Sequence, residues 1–239
     1  MQTLQNRLAV AAMMLVSAQV FAQQVTLSGR VKLVSGEKEA ESAHAAGVVV
    51  WLTPLDSQAT TKPFHTGSLK LVQHNKSFEP HLLVVPVGAV VEFPNRDPFF
   101  HNVFSLFEGK RFDLGLYEAG SSRYVSFDRP GVSYIFCNIH AEMSAVVIAL
   151  DTPYYSISSA KGEVVIPDVA VGKYSLHLWY ETALPETLKT LTRDINVTEA
   201  SSTLGVLQVP AERLASAHKN KYGMDYEPPS PNSPGYNNP

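Results

Sequence analysis

The sequence predicts an all-β protein whose strands pack as a sandwich or barrel. Its apolar residues fall in many short runs of strand length. Turn signals separate these runs, such as Pro-Val-Gly at 86–88 and Asp-Arg-Pro-Gly at 128–131. A helical pattern is confined to residues 211–218. Many short strands with Gly, Pro, Asn and Asp turns between them are typical of packed sheets.

The predicted strands differ in pattern along the chain. Residues 25–34 alternate between apolar and polar, whereas residues 47–52 form a continuous apolar run. The two turn signals each join a pair of neighbouring runs. In chain order, the predicted strands are residues 25–34, 47–52, 82–85, 89–93, 122–127, 132–136, 144–150, 162–166, 173–180, 191–197 and 204–209.

The first 22 residues have the pattern of a secretory signal peptide. Arg7 precedes a short apolar run, and Val20-Phe21-Ala22 places small residues where cleavage after Ala22 would require them. A membrane anchor is the alternative, but the apolar run is shorter than the about 20 residues that a spanning helix needs. We therefore expect a periplasmic protein with no membrane span.

Charge and composition exclude one class of partner. The formal net charge is −3 and the basic residues form no stripe, so nucleic acid is not an expected partner. Hydrophobic residues make up 45% of the chain, which is ordinary for a packed globular protein. The chain is long enough for one large β domain or two small ones.

Cys137 is the only cysteine of the chain. Exported proteins use cysteines mainly in disulfide pairs, which a single cysteine cannot form within its own chain. A buried, inert cysteine is the alternative. That alternative leaves unexplained why His140 and Met143 follow Cys137 at regular intervals of three residues, and why His101 lies next to a polar turn.

These four residues form a candidate copper site. Two imidazoles, one thiolate and one thioether are the ligands of blue-copper centres, which hold one copper ion and transfer single electrons. Cys137, His140 and Met143 would share one loop between two strands, and His101 would close the site from the end of another strand-like run. Zinc is a weaker alternative, because structural zinc sites usually have more cysteines and methionine is not a usual zinc ligand.

Three neighbouring residues are expected to support the site without binding metal. Asn102 is a candidate to donate an amide N–H to the cysteine sulfur, which would raise the reduction potential. A turn residue that satisfies its own backbone is an equal alternative for Asn102. Asn95 and Asp97 are expected to fix the loop before His101 through hydrogen bonds from side chain to backbone.

The motif Cys-x-x-His-x-x-Met at 137–143 and the segment His-Asn-Val at 101–103 resemble amicyanin, a cupredoxin similar to plastocyanin. The resemblance covers roughly residues 78–150 and implies a Greek-key β-sandwich. It also implies that His101, Cys137 and His140 bind copper through short bonds and that Met143 binds axially. In cupredoxins the loop histidine commonly has an exposed edge. We therefore expect transient redox partners to dock around His140 and Ile139.

The flanking segments resemble a different module. Leu-Ser-Gly-Arg-Val at 27–31 and the segment 162–174 are similar to a carboxypeptidase regulatory-like sandwich. The predicted organisation is a signal peptide (1–22), the first part of a flanking sandwich (23–62), a copper domain (63–151), the rest of the flanking sandwich (152–210), and a short helix with a disordered tail (211–239). Alternatively, the early strands extend the copper-domain sheet.

The combined expectation is an exported electron carrier that is not an enzyme. Multicopper oxidases need several His-x-His pairs, and this sequence has none. A binuclear copper centre needs two cysteines. The chain is also similar to exported proteins labelled as methylamine utilisation proteins, which does not imply a role in that metabolism. A non-redox copper-binding or delivery protein is the alternative function.

Overall fold

The computed structural model describes residues 23–35, 38–39, 45–56, 62–64, 67–106, 109–200, 202–211 and 219–226. The predicted signal peptide lies outside these residues, so export stays a prediction. Among the residues described, no helix has the length and apolar character needed to cross a membrane.

The described residues form an all-β protein with one short helix, which confirms the predicted fold class. The elements in chain order are β1 (Gln24–Ser35), β2 (Lys38–Glu39), β3 (Val49–Pro54), β4 (Val72–His74), β5 (Ser77–Glu79), β6 (Leu82–Pro86), β7 (Ala89–Pro94), β8 (His101–Ser105), β9 (Phe112–Tyr117), β10 (Ser122–Phe127), β11 (Gly131–Phe136), β12 (Ser144–Leu150), β13 (Tyr155–Ile157), β14 (Glu163–Ala170), β15 (Gly172–Trp179), α1 (Pro185–Leu191), β16 (Arg193–Val197) and β17 (Thr203–Pro210).

One sandwich is built from the middle of the chain. Its larger sheet has the strand order β6-β12-β11-β8-β9, and strands β7 and β10 form the facing sheet. Val91 and Phe127 from the smaller sheet pack in one buried cluster with Val103 and Ile135 from the larger sheet. The chain crosses between the two sheets, and the parallel pair β6 and β12 brings distant segments together.

A second sandwich is built from the two flanking segments. Strand β1 lies between β14 and β17 in one sheet, and the other sheet has the order β13-β3-β15-β16. Leu27 and Val164 from the first sheet share a buried cluster with Leu52 and Leu176 from the second. Both β1 and β3 therefore pair with strands from the later flanking segment, and they do not extend the sheets of the middle sandwich.

Strand β12 is shared between the two hydrophobic cores. Successive side chains on a strand point to opposite faces. Ala145, Val147 and Ala149 accordingly lie in the core of the middle sandwich, whereas Val146 and Ile148 lie in the core of the flanking sandwich. Both faces of the strand are covered, and its residues are apolar from Ala145 to Leu150. The two sandwiches are therefore joined along this strand.

The helix α1 was not predicted from the sequence, which indicated a helix only at 211–218. Pro185 occupies its first turn, where a missing N–H costs little. Glu186 in the first turn and Lys189 in the last match the helix dipole. The predicted strand at 191–197 begins only at Arg193, because Leu191 ends the helix. Residues 212–218 lie outside the described residues.

Replacement of Ile148 by alanine should destabilise both sandwiches together. Ile148 is 1% exposed, and truncation of such a side chain typically costs about 2–5 kcal/mol. Because β12 contributes to both cores, hydrogen exchange in water should become faster in β11 and in β15. Val90→Ala, at a position that is 52% exposed, is the control and should change stability by less than about 0.5 kcal/mol. Faster exchange in β15 alone would show that the two cores unfold independently.

Candidate metal centre

Three side chains converge at the edge of the middle sandwich. The Sγ atom of Cys137 lies 3.7 Å from Nδ1 of His101 and 3.6 Å from Nδ1 of His140. The candidate ligand atoms of the three residues all lie within 4.8 Å of one another, and all three residues are buried. Two nitrogen donors and one sulfur at this spacing can bind a single metal ion.

The sheet accounts for this convergence. His101 is the first residue of β8, and Cys137 follows the last residue of β11. These two strands are antiparallel neighbours, with Phe104 opposite Phe136. The start of one strand and the end of the other therefore lie at the same edge of the sheet. His101 thus lies at the start of a strand, after a loop, and not at the end of the preceding strand-like run as the sequence predicts.

The loop between β11 and β12 is closed by its own backbone. The N–H of Cys137 donates to the carbonyl of Met143, and the N–H of Met143 donates to the carbonyl of His140, both at 3.1 Å. Met143 is fully buried in the core beside the loop. These bonds hold the three sequence-predicted loop residues in a fixed arrangement, which reduces the ordering that metal binding requires.

The cysteine sulfur accepts backbone hydrogen bonds. Burial raises the pKa of the Cys137 thiol, whereas the backbone N–H groups of Asn102, Ile139 and His140 oppose that rise by hydrogen bonding to the sulfur. Without a cation the thiol therefore keeps its proton at neutral pH. A bound metal ion supplies the positive charge that a buried thiolate needs.

The contact of Asn102 with the sulfur comes from its backbone. Its side-chain amide donates to Oδ1 of Asp113 at 2.7 Å. The backbone N–H of Asn102 is the group that bonds to Cys137. The sequence predicts an amide N–H of Asn102 at the sulfur, or a turn residue that satisfies its own backbone, and it does not distinguish the backbone amide from the side-chain amide.

Asp97 fixes the orientation of the His101 ring. The ring Nε2 lies 2.7 Å from Oδ2 of Asp97, and both side chains are at least 96% buried. Burial alone would raise the pKa of Asp97, but the backbone N–H groups of Lys76 and Asn75, together with His101, outweigh it and lower the pKa. The ionised carboxylate keeps the ring proton on Nε2 and leaves the lone pair of Nδ1 facing the sulfur.

The loop before His101 is held by Asn95. The side chain of Asn95 accepts from the N–H of Asp97 at 3.0 Å and donates to the carbonyl of Phe99 at 2.8 Å. These are the bonds from side chain to backbone that the sequence predicts for Asn95. Asp97 makes similar bonds, but it also contacts His101 directly, which the sequence analysis did not identify.

Aromatic packing covers the two imidazoles. The Phe99 ring lies 5.2 Å from the ring of His101 and 5.8 Å from that of His140, and the two imidazole rings are 4.9 Å apart. His140 is 8% exposed, so the exposed edge expected for it is small. Phe99 was not predicted, because its proximity depends on the path of the loop.

Both histidines are poor bases in this environment. Burial, together with the neighbouring His101 and Lys76, lowers the pKa of His140 to about 4. Burial also lowers the pKa of His101, although Asp97 opposes the shift. Neutral imidazoles are the form that binds metal, so both rings are ready to bind at neutral pH.

Part of the C-terminal segment lies against the loop between β11 and β12 (residues 137–143), here called the ligand loop. The Tyr226 hydroxyl donates to the carbonyl of Cys137 at 2.7 Å, and the Lys221 backbone N–H donates to the side chain of Asn138 at 2.9 Å. Residues 219–226 are part of the segment 211–239 for which the sequence predicts a short helix and a disordered tail, and no local pattern predicts these contacts with the loop. Residues 227–239 lie outside the described residues.

Comparison with known proteins gives partial likenesses to copper proteins. No family model and no curated protein matches the chain. A purple cupredoxin from Nitrosopumilus maritimus is 24% identical, covers 34% of this chain and 98% of its own, and gives a TM-score of 0.32. An oxidised amicyanin variant is 21% identical, and the match covers 35% of this chain and 83% of the amicyanin chain, with a TM-score of 0.33.

A copper-containing nitrite reductase from Thermus scotoductus is 23% identical, covers 42% of this chain and gives a TM-score of 0.34. The match spans only 26% of that enzyme. At these identities and TM-scores the likenesses concern part of the chain and carry no argument about activity. The function is therefore inferred from the geometry of the site.

Replacement of Asp97 by asparagine should weaken metal binding. The variant keeps the size of the side chain but removes the charge that fixes the His101 tautomer. Loss of such a partner of a metal-ligating histidine typically lowers metal affinity by about 10- to 100-fold. A competition titration with Cu(II) measures this. Asp128→Asn, which removes an exposed carboxylate paired with Lys110, is the matched control and should bind like the parent chain. Equal affinity in all three chains would exclude the role given to Asp97.

The metal-free protein should lose stability as the pH falls from about 6.5 to 4. The unfolded chain protonates its histidines below about pH 6.5, whereas folded His140 resists protonation until about pH 4. Low pH therefore favours the unfolded state, by up to about 3 kcal/mol for this residue. Urea unfolding of the parent and of His140→Gln at several pH values isolates the contribution of His140 to the free energy of unfolding. Identical pH dependence in the two chains would contradict it.

Proposed function

We propose that this protein is an exported type 1, or blue, copper protein that carries single electrons between redox partners. The observation that carries the proposal is the buried Cys137 sulfur with one imidazole nitrogen on each side at 3.6 and 3.7 Å. Met143, fully buried in the same loop, would be the weak fourth ligand. One copper ion per chain is proposed.

The donor set supports copper over zinc. A thiolate and a thioether stabilise Cu(I), imidazoles accept both oxidation states, and copper generally binds nitrogen and sulfur sites more tightly than zinc does. The sequence holds one cysteine, so a zinc site with several thiolates cannot form within the chain. In the bound state the copper ion supplies one-electron chemistry by changing between Cu(I) and Cu(II).

The rigidity of the site supports electron transfer. Asp97 holds one ring, the loop backbone holds the other, and Phe99 packs against both. One electron enters from a reduced partner and leaves to an oxidised one, while the ligands keep their positions. A site that moves little has little reorganisation to overcome. Copper storage or delivery instead requires ligands that release the metal readily, and burial of all three ligands does not favour release.

Docking of a partner near the ligand loop is part of the proposal. Ile139 is half-buried, whereas Ala141 and Glu142 on the same loop are exposed. Phe100, next to the ring that packs on both histidines, is 52% exposed. We propose that transient redox partners approach over this loop, around His140 and Ile139, in the periplasm. A small interface of this kind suits fast release of a partner.

The mature chain, expressed without residues 1–22 and loaded with Cu(II), should show an intense visible charge-transfer band with one copper per chain. Mild reductants should bleach the band reversibly. Cys137→Ala should abolish it, because the thiolate is the electron donor of the transition. Met143→Leu should retain the band and change the reduction potential, since the axial ligand tunes that potential.

Absorption and EPR spectroscopy, together with copper analysis, measure these properties. A colourless protein, or copper binding that survives Cys137→Ala unchanged, would contradict the proposed function. A coloured protein that does not exchange electrons with any small reductant would instead favour a non-redox copper-binding role.

A further inference from the structure

Residues 219–226, here called the strap, contact the metal centre from outside the β-sandwich. The strap is compact by itself. The N–H of Asn220 donates to the carbonyl of Met224, and the Asn220 side chain accepts from the N–H groups of Tyr222 and Met224, at 2.9 to 3.1 Å. Gly223, with a φ of 77°, allows the tight reversal of the chain.

The strap binds the ligand loop at two adjacent residues. The Tyr226 hydroxyl donates to the carbonyl of Cys137 at 2.7 Å. The backbone N–H of Lys221 donates to the side-chain oxygen of Asn138 at 2.9 Å. The strap therefore holds the backbone carbonyl of Cys137 and the side chain of the next residue, Asn138, which restricts the backbone that carries the cysteine side chain.

A third attachment reaches the same cysteine through a different route. The Lys221 ammonium lies 2.8 Å from Oδ2 of Asp113, and the other oxygen of that carboxylate accepts the Asn102 side-chain amide at 2.7 Å. The backbone N–H of Asn102 in turn bonds to the Cys137 sulfur. The strap thus supports both the carbonyl end and the sulfur end of one residue.

We propose that the strap is a positioning element of the metal centre, in which Tyr226 and Lys221 fix the orientation of Cys137 toward the metal. Tyr226 is a positioning residue, because it contacts the backbone of a ligand and not the metal. The spectroscopic part of this inference rests on the proposed copper function, whereas the mechanical part concerns the metal-free loop and does not.

Tyr226→Phe is the decisive variant in the full chain. It keeps the ring and removes only the hydroxyl. Amide exchange in the loop 137–143 of the metal-free protein should become about 5-fold faster, the change that loss of one ordinary hydrogen bond produces. Tyr124→Phe is the matched control, because that ring is 63% exposed and lies on β10, outside the strap, and amide exchange of the loop in this variant should equal that of the parent. Hydrogen exchange with mass spectrometry measures both.

Lys221→Met is a second variant, which acts at the contact between the strap and Asp113. It removes the ion pair with Asp113 and should speed exchange in the same loop. Unchanged loop exchange in both Tyr226→Phe and Lys221→Met would overturn the inference. An equal increase in Tyr124→Phe and Tyr226→Phe would overturn it as well, because the effect would not depend on the bond to Cys137.

In the copper-loaded protein, the absorption band and the rate of copper release distinguish a positioning role from a contribution to stability alone. Tyr226→Phe should shift the thiolate-to-copper band and accelerate copper release by about 5-fold, while Tyr124→Phe leaves both as in the parent. A parent chain without the band would contradict the proposed function, but the exchange result on metal-free protein would still decide the role of the strap. An unshifted band together with unchanged release in Tyr226→Phe would overturn the positioning of the cysteine.

Discussion

The burial of one sulfur atom is the constraint on which the rest of this structure depends. Cys137 is fully buried, and a buried thiolate is costly without a cation beside it. The protein places two neutral imidazole nitrogens and three backbone N–H groups around the sulfur. The N–H groups moderate the cost of the charge but do not remove it, and the lone pairs of neutral imidazole nitrogens supply no positive charge. The proposed metal ion would supply the positive charge that the buried thiolate needs.

The fold serves this constraint by placing distant segments at one sheet edge. Pairing of β8 with β11 brings His101 to Cys137, and the next strand, β12, is locked between two hydrophobic cores. The ligand loop therefore connects two strands that cannot shift easily. The flanking sandwich contributes by covering the outer face of β12. A site supported in this way is rigid, which is the property that the proposed electron transfer would require.

The sequence predicted well whatever depends on local spacing. Strand periodicity located most of the sheets. The candidate ligands of the loop between β11 and β12 could be recognised because Cys137, His140 and Met143 lie within seven residues. The hydrogen bonds that the sequence does not predict depend on the folded path of the chain. The link from Tyr226 to Cys137 joins residues 89 positions apart, and no local pattern indicates it. Asp97 was recognised as a loop residue, but its bond to His101 depends on the path of the loop between them.

The ligands of the bound metal test the central claim most directly. X-ray absorption at the copper edge of the loaded, full mature chain reports the atoms bound to the ion and their distances. The account predicts one short copper–sulfur bond and two copper–nitrogen bonds, with the sulfur contribution lost in Cys137→Ala. A copper environment made only of nitrogen and oxygen ligands in the parent chain would contradict it.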